Sequence, residues 1–233
     1  MKYTLSKEIL EKFPTTCLGI IAVRNIDNSN SSEQILKLLR QAENTIKNQF
    51  QNMKPSEHPR IRCWREVYSA FGAKPSKYNC SIEAMVKRIL EGGKIPDIND
   101  LVNLYNYASL KYLISVGGDD ADKIDGDVLL SIAEGGEKFI EIGQGETKNP
   151  NAGEVIFKDA NDVLGRRWNW RQSEKTKITK NTMNANIQVE GIYPITKKDI
   201  EEASGELMKL IEEFFGVKPK FYYLDKENPS AVV

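Results

Sequence analysis

Hydrophobic and polar positions recur along this chain with two periods, and the change from one to the other falls near Gly117. The N-terminal stretch Met1 to Phe13 is amphipathic, and after Pro14 the short run Leu18–Val23 reads as a buried first strand. Asn25 to Asn30 is polar and turn-like. From there helical spacing takes over. Ser31 or Ser32 caps a helix that carries Ile35, Leu38, Leu39, Ala42 and Ile46 on one face. Lys54 to Pro59 is a break. Ile61 to Phe71 forms a second helix, closed by Gly72 and Pro75. Ser81 caps a third, with Ile82, Met85, Val86, Ile89 and Leu90 inward and Gly92–Gly93 at its end, and Asp100 to Leu113 is a fourth.

Beyond Gly117 the pattern turns to short strand-like runs, Val128–Ile132, Lys138–Ile142, Glu154–Lys158 and Asn186–Tyr193, punctuated by Asp125–Gly126, Gly135–Gly136 and Asn151–Gly153. Lys197 to Phe215 is a closing amphipathic helix with Ile200, Ala203, Leu207, Leu210, Ile211 and Phe214 at helical spacing, and Phe221–Leu224 is a last strand. Helices first and strands second predict an α+β fold, not a doubly wound parallel sheet. The expected organisation is one domain over residues 1–233. It has a helix-rich half to about residue 116, a strand-rich half over about 117–195, and the closing helix over 197–215. Gly143 and Gly145 form a G-x-G with no helical pattern after it, which speaks against a dinucleotide site.

Charge narrows the partners. Lys+Arg and Asp+Glu are equal at 33 each, so a nucleic-acid contact requires a local patch, not a whole-protein field. No apolar run approaches a membrane span, and the N-terminus lacks the unbroken apolar core of a signal peptide. Three scattered cysteines (Cys17, Cys63, Cys80) and one histidine make a zinc site improbable and fit buried thiols in a reducing, cytoplasmic compartment. Neither a metal nor a cofactor is expected.

Candidate chemistry is sparse. His58 sits before Pro59 in a polar loop and reads as a solvated side chain. The chain holds no G-x-S-x-G elbow and no P-loop. Gly117-Gly-Asp-Asp-Ala-Asp122 gathers three carboxylates but fails the calcium-loop spacing, so it reads as a turn. The segment Arg166–Thr182, RRWNWRQSEKTKITKNT, packs three Arg, two Trp and three Lys together. Guanidinium groups bind phosphates or carboxylates bidentately and indoles offer stacking faces. A surface hairpin whose arginines stack on Trp for packing alone reads the same residues equally well. In an extended segment Arg171 and Ser173 share one face and offer a cation and a hydroxyl to an anionic or carbonyl oxygen.

Several of these segments share a register. Leu104-Tyr-Asn106-Tyr, Asp120-Ala-Asp-Lys, Ile132-Ala-Glu-Gly-Gly-Glu137, Ile156-Phe-Lys-Asp159, Thr182 and Gln188-Val-Glu190-Gly follow one another in the order and spacing of the B3/B4 domain of the bacterial phenylalanyl-tRNA synthetase beta chain. The chain resembles that domain over about residues 95–195, and more loosely upstream. The resemblance implies an α+β, B3/B4-like layered fold with a mixed, β-sandwich-like core and covering helices. It further implies hydrolysis of tyrosine wrongly attached to the phenylalanine tRNA, in a pocket between two halves. Glu190 matches the pocket Glu that reads the tyrosine hydroxyl, Asn106 a pocket Asn, and Ile142 an aliphatic wall. Two positions depart from the pattern. Gly117 stands where the family has a pocket His, and Trp168, Asn169, Trp170 and Arg171 replace a glycine-rich loop.

The chain has no class II aminoacylation motif. The expectation is therefore a free-standing domain that hydrolyses mischarged aminoacyl-tRNA in trans, or a non-catalytic RNA-binding module, or a free amino-acid-binding protein. Its partner would be the acceptor end of an aminoacyl-tRNA or another RNA, or a free amino acid, with neither membrane nor DNA involved. The expected substrate-binding set is Asn106, Glu190, Arg171, Ile142, Trp168, Ser173 and Asn169. With no Ser–His or Cys–His pair, hydrolysis would rest on a positioned water and oriented polar groups. No catalytic residue is assigned.

Overall fold

The computed structural model describes residues 1–233. The chain opens with two strands, β1 (Lys2–Leu5) and β2 (Cys17–Val23), either side of the short helix α1 (Lys7–Lys12). Four helices follow: α2 (Glu33–Gln49), α3 (Pro59–Ala70), α4 (Ser81–Leu90) and α5 (Asp100–Tyr112). Then come β3 (Ser115–Asp120), β4 (Val128–Ile132), β5 (Val155–Lys158), β6 (Val163–Arg166), β7 (Arg171–Gln172) and β8 (Ala185–Gly191). Helix α6 (Lys197–Phe215), β9 (Lys220–Leu224) and β10 (Ser230–Val232) close the chain. The fold is α+β, built on two sheets. A mixed sheet runs β10-β1-β4-β5-β6-β7, with β1 and β4 parallel, and an antiparallel sheet runs β3-β8-β2-β9.

Local chemistry explains where the helices start and stop. The Ser32 hydroxyl accepts from the Ile35 amide at the head of α2, and Asn99 does the same for Val102 at the head of α5. Thr196 and Asp199 cap α6 reciprocally, and Gly216, at φ +67°, ends it in the left-handed conformation that a glycine adopts without strain. Two expected details change. His58 caps α3, its Nδ1 accepting from the Arg60 amide at 3.3 Å, so it is not a free loop side chain. Cys80, not Ser81, holds the cap position of α4, and Ser81 is that helix's first residue.

The strands differ more from the expectation. β1 precedes the expected first strand and places the N-terminus inside the mixed sheet, between the edge strand β10 and β4. Lys138–Ile142 forms no ladder; it makes isolated bridges from Ile140 to Thr147 and from Glu141 to Ser173. Of the acidic run Gly117–Asp122, only its end is the expected turn, a 3-10 turn over Ala121–Lys123 capped by Asp120; Gly117–Asp120 is strand, because Ser115–Asp120 pairs along its length with β8. Gly and Asp are poor strand formers, and the partner strand overrides that preference here.

The two faces of the antiparallel sheet are unlike. Residues opposite one another across a ladder share a face, and side chains alternate along each strand. One face carries Val116, Ile187, Val189 and Ile21, and packs in one apolar cluster with Leu104 of α5 and Ile200, Leu207 and Ile211 of α6. The other carries Ser115, Gly117 and Asp119 of β3 beside Asn186, Gln188 and Glu190 of β8, in the register Ser115–Glu190 and Gly117–Gln188. Five of these six are buried. A buried polar strand face requires hydrogen-bond partners from across the sheet or from a ligand.

Candidate functional site

That polar face forms the floor of a cavity of about 210 Å³. That is well above the roughly 10–15 Å³ one water needs, so a small organic group has room there. Gly117, Asp119, Gln188 and Glu190 supply one wall, and Phe157, Leu164 and Gly165 of the mixed sheet face them. Ser81 and Met85 of α4 and Tyr105 and Asn106 of α5 border it, and the run Trp168–Gln172 completes the mouth.

Glu190 is the most perturbed group there. Burial pushes its carboxyl up to about 8, the Asn169 amide opposes the rise, and the Asp119 charge adds to it. Asn169 Nδ2 donates to Glu190 Oε2 at 3.0 Å, and the Tyr68 hydroxyl donates to Asn169 Oδ1 at 2.8 Å. The phenol thereby fixes the amide's orientation and commits its N–H to the carboxyl. Asp119 is also raised by burial, but three donors hold its charge: Thr176 Oγ1 at 2.5 Å, Gln188 Nε2 at 2.9 Å and Gln172 Nε2 at 3.0 Å. No cation pairs with either carboxyl, so the buried-Glu–Arg pair that would make Glu190 purely structural is not what the fold builds.

The loop that carries Asn169 is strained. Arg167 and Trp168 both have positive φ, +48° and +63°, a region that costs a bulky residue of order 1–3 kcal/mol. Packing holds them there. The Trp168 ring meets Phe13 at 5.4 Å and Trp64 at 5.2 Å, both edge-on, and its amide donates to the Val155 carbonyl at 2.7 Å. Arg167 donates to Glu154 at 2.7 Å, and Arg166 donates twice to the same carboxylate. The outcome of the double left-handed turn is that Asn169 faces the cavity.

Five of the seven expected binding residues line the pocket: Asn106, Glu190, Arg171, Trp168 and Asn169. The Asn106 side chain makes no hydrogen bond within the chain, which leaves both ends of its amide for a ligand. Trp168 takes part as a buried wall, 2% exposed, not as an open stacking face; Trp170 is the half-buried one. Arg171 lies at the mouth over the Trp170 ring at 4.9 Å, with its Nε on Glu141 at 2.7 Å. Ile142 is exposed and outside the pocket, because its segment runs over the surface instead of joining the sheet. Ser173 is buried elsewhere, its hydroxyl accepting from the Lys175 amide. Arg167 does not line the pocket; its guanidinium is held on Glu154.

Sequence reasoning missed Asp119, Gln188, Gln172 and Ser81. The signal for Gln188 was present, since it sits two residues before Glu190 on one strand and so on the same face. Ser81 shows none: its hydroxyl oxygen is buried, lines the pocket and has no partner.

Comparison with known proteins gives two matches. The family model for the B3/4 domain matches residues 63–216. The structure is similar to the crystal structure of an N-terminal fragment of the phenylalanyl-tRNA synthetase beta-subunit from Pyrococcus horikoshii, at 14% identity and a TM-score of 0.47. That likeness covers 94% of this chain and 49% of the other, so the chain spans about half the length of that fragment. A search of the curated proteins gave no match.

Proposed function

This chain belongs to the B3/4 domain family, and on that premise we propose that its intersheet pocket takes the aminoacyl group of a mischarged aminoacyl-tRNA and that water hydrolyses the ester there. The observation that carries the reading is Glu190, a buried carboxyl pinned by Asn169 at one oxygen and set into a cavity with unpaired Asn106 on its rim. Near neutral pH it is largely protonated and donates a hydrogen bond to a ligand oxygen. An arriving ammonium draws it to the charged form. Either state recognises an amino acid.

The chemistry asks little else of the chain. Water oxygen attacks the ester carbonyl, the carbon–ribose oxygen bond breaks, and the ribose oxygen takes up a proton, giving a free amino acid and a tRNA hydroxyl. The carbonyl oxygen gains charge in the transition state, so donors held ready for it matter most. The unpartnered Ser81 hydroxyl at the positive end of α4 is one, and the Arg171 guanidinium at the mouth is the other. Incubation with a panel of mischarged tRNAs tests the reading. We expect release of the amino acid from at least one, and background rates on all of them would remove the enzyme.

A second reading has its own support. The two pocket carboxyls face no cation of the chain, and a free amino acid would supply one with its ammonium, its carboxylate meeting Arg171. A thermal-shift screen of amino acids separates the two. A ligand at a hundredfold excess over its dissociation constant stabilises by about 2.7 kcal/mol, and no shift with any amino acid ends this reading.

A further inference from the structure

The Asn169 side chain is held at both ends. Its Nδ2 donates to Oε2 of Glu190 at 3.0 Å, and its Oδ1 accepts from the Tyr68 hydroxyl at 2.8 Å. The two ends of an amide are nearly alike in shape, so its partners decide which way it faces. Tyr68 makes that choice. It lies on the inner face of α3, 1% exposed, with its ring against Phe71, and it does not line the cavity. Burial raises its phenol well above the ordinary value, so it keeps its proton and offers it to Oδ1. The N–H end of the amide is left for Glu190. The other carboxyl oxygen of that residue, Oε1, has no hydrogen-bond partner in the chain, and Glu190 lines the cavity.

The opposite amide orientation would serve Glu190 differently. A neutral carboxyl that faced the amide oxygen would donate its proton there and be satisfied inside the protein. Facing the N–H, it accepts instead, and its proton has to find an acceptor elsewhere. The surroundings offer no other. Across β2 Glu190 meets apolar Leu18, and the Ser115 hydroxyl opposite it on β3 makes no hydrogen bond. The charged and titratable groups around Tyr68, Asn169 and Glu190 are otherwise engaged. Asp119 of β3 is held by three donors. Burial keeps Tyr105 of α5 and the Cys80 thiol at the head of α4 un-ionised. Arg171 and Arg167 are held on Glu141 and Glu154. The cavity is the open side.

We propose that Tyr68 is a positioning residue for the pocket: through Asn169 it turns the proton of Glu190 toward the cavity, where it meets a hydrogen-bond acceptor on the ligand. This rests on the reading above for what the pocket holds. Tyr68 touches no ligand itself. The acceptor is an oxygen or sulfur of the bound aminoacyl group, and a side chain that offers none leaves the Glu190 proton unpaired in a buried site, which costs binding. Without the phenol the amide is free to turn over. It then takes the Glu190 proton on its own oxygen, and the cavity loses its donor.

The test is carboxyl NMR from mildly acid to alkaline pH on wild-type protein, Tyr68→Phe and Val67→Ala, with the Glu190 signal identified by its loss in Glu190→Gln. Val67 is the buried neighbour of Tyr68 on α3 and takes no part in the relay, so Val67→Ala controls for lost packing. In Tyr68→Phe the carboxyl loses an N–H that favours its charged form. Its titration midpoint should rise by about one to two pH units, the size of one hydrogen bond to a charged group. Val67→Ala should lower the melting temperature and leave the midpoint where it was. Hydrolysis of a panel of aminoacyl esters of adenosine at neutral pH should fall about tenfold or more in Tyr68→Phe and hardly at all in Val67→Ala. An unmoved midpoint in Tyr68→Phe, or an equal movement in Val67→Ala, overturns the proposal. So does a raised midpoint with hydrolysis at the wild-type rate. If wild-type protein hydrolyses none of the esters, the enzyme reading is lost, and the titration alone decides whether Tyr68 sets the direction of the Glu190 proton.

Discussion

Two groups of carboxylates, each built around a buried aspartate, lie in this protein, and they are satisfied by opposite means. Asp125, Asp159 and Asp162 converge on one ammonium, that of Lys175, at 2.8, 2.7 and 2.9 Å. Burial alone would raise Asp159, but Lys175 and the amides of Asp125, Asn161 and Asp162 hold it below the usual carboxylate range. Desolvation works against the Lys175 charge, and the three carboxylates hold it well above its ordinary value. Asp119 and Glu190 have only amides and a hydroxyl, which orient a carboxyl without cancelling its charge. The first group is closed and complete, and a cation could enter it only by displacing Lys175. The second is open to solvent on one side and still short of a proton or a cation. Both sets look alike in composition, so what marks a site is the kind of partner, not the number of acids.

The contrast breaks most sharply on pH. Glu190 is raised in the folded protein and ordinary in the unfolded chain, so folding takes up a proton between about 4.5 and about 8. Within it the folded state keeps the proton that the unfolded chain has lost, so the stability present in full below about 4.5 falls as pH rises to about 8, at up to ~1.4 kcal/mol per pH unit. Glu190→Gln should remove that slope, melting near wild type at pH 4.5 and several degrees higher at pH 8.5. Parallel melting curves across the window would mean that the carboxyl is paired. Lys175→Met should cost about 3 kcal/mol in urea unfolding, somewhat below a fully buried pair because the ammonium is partly exposed, and should leave ligand binding at the pocket intact. A smaller loss would show that Asp159 and Asp162 find other partners.

Arg171→Lys keeps the charge but loses the planar fork. Ligand affinity should fall roughly ten- to a hundredfold, about 1.5–3 kcal/mol, with a near-wild-type melt because the side chain is exposed. Normal binding would make Arg171 a residue that only covers Trp170. Asn169→Ala removes the partner of both Tyr68 and Glu190 and should destabilise by about 1–2 kcal/mol, with Glu190 titrating higher still by NMR. An unmoved Glu190 would show that the amide does not set its environment. Gly117→Ala is the mildest. A Cβ there meets nothing within 4 Å, so stability should change by less than about 0.5 kcal/mol while the pocket shrinks and its preference moves to smaller ligands. A marked loss of stability would show that the space is not open.

The helices were legible because each buries a stripe with the period that predicts it. Lys197–Phe215 is the clearest case, with capping residues at one end and Gly216 at the other. The strands were legible where they were long and apolar, as at Cys17–Val23, and hidden where the backbone of a neighbour supplies what the side chains do not. Ser115–Asp120 has two glycines and two aspartates, and only its position beside β8 makes it a strand. The two-residue strand Arg171–Gln172 carries no pattern at all. In the site, Glu190, Asn106 and the Trp168–Arg171 run could be named in advance. Asp119 could not, because its burial depends on Thr176, Gln172 and Gln188, each distant or on another strand. Ile142 was misplaced for the same reason: whether an aliphatic residue faces a pocket or the surface depends on a pairing its own sequence does not show.

The left-handed turn at Arg167 and Trp168 also gives this protein a built-in optical instrument. It sets two indoles two residues apart in opposite surroundings: Trp168 dry between Phe13 and Trp64, Trp170 half-open at the pocket mouth against Arg167 and Arg171. A soluble quencher reaches the second and not the first, and a ligand in the pocket shields the second alone. The emission spectrum therefore reports occupancy and integrity on separate wavelengths, blue for the packed ring and red for the wet one, with no label attached.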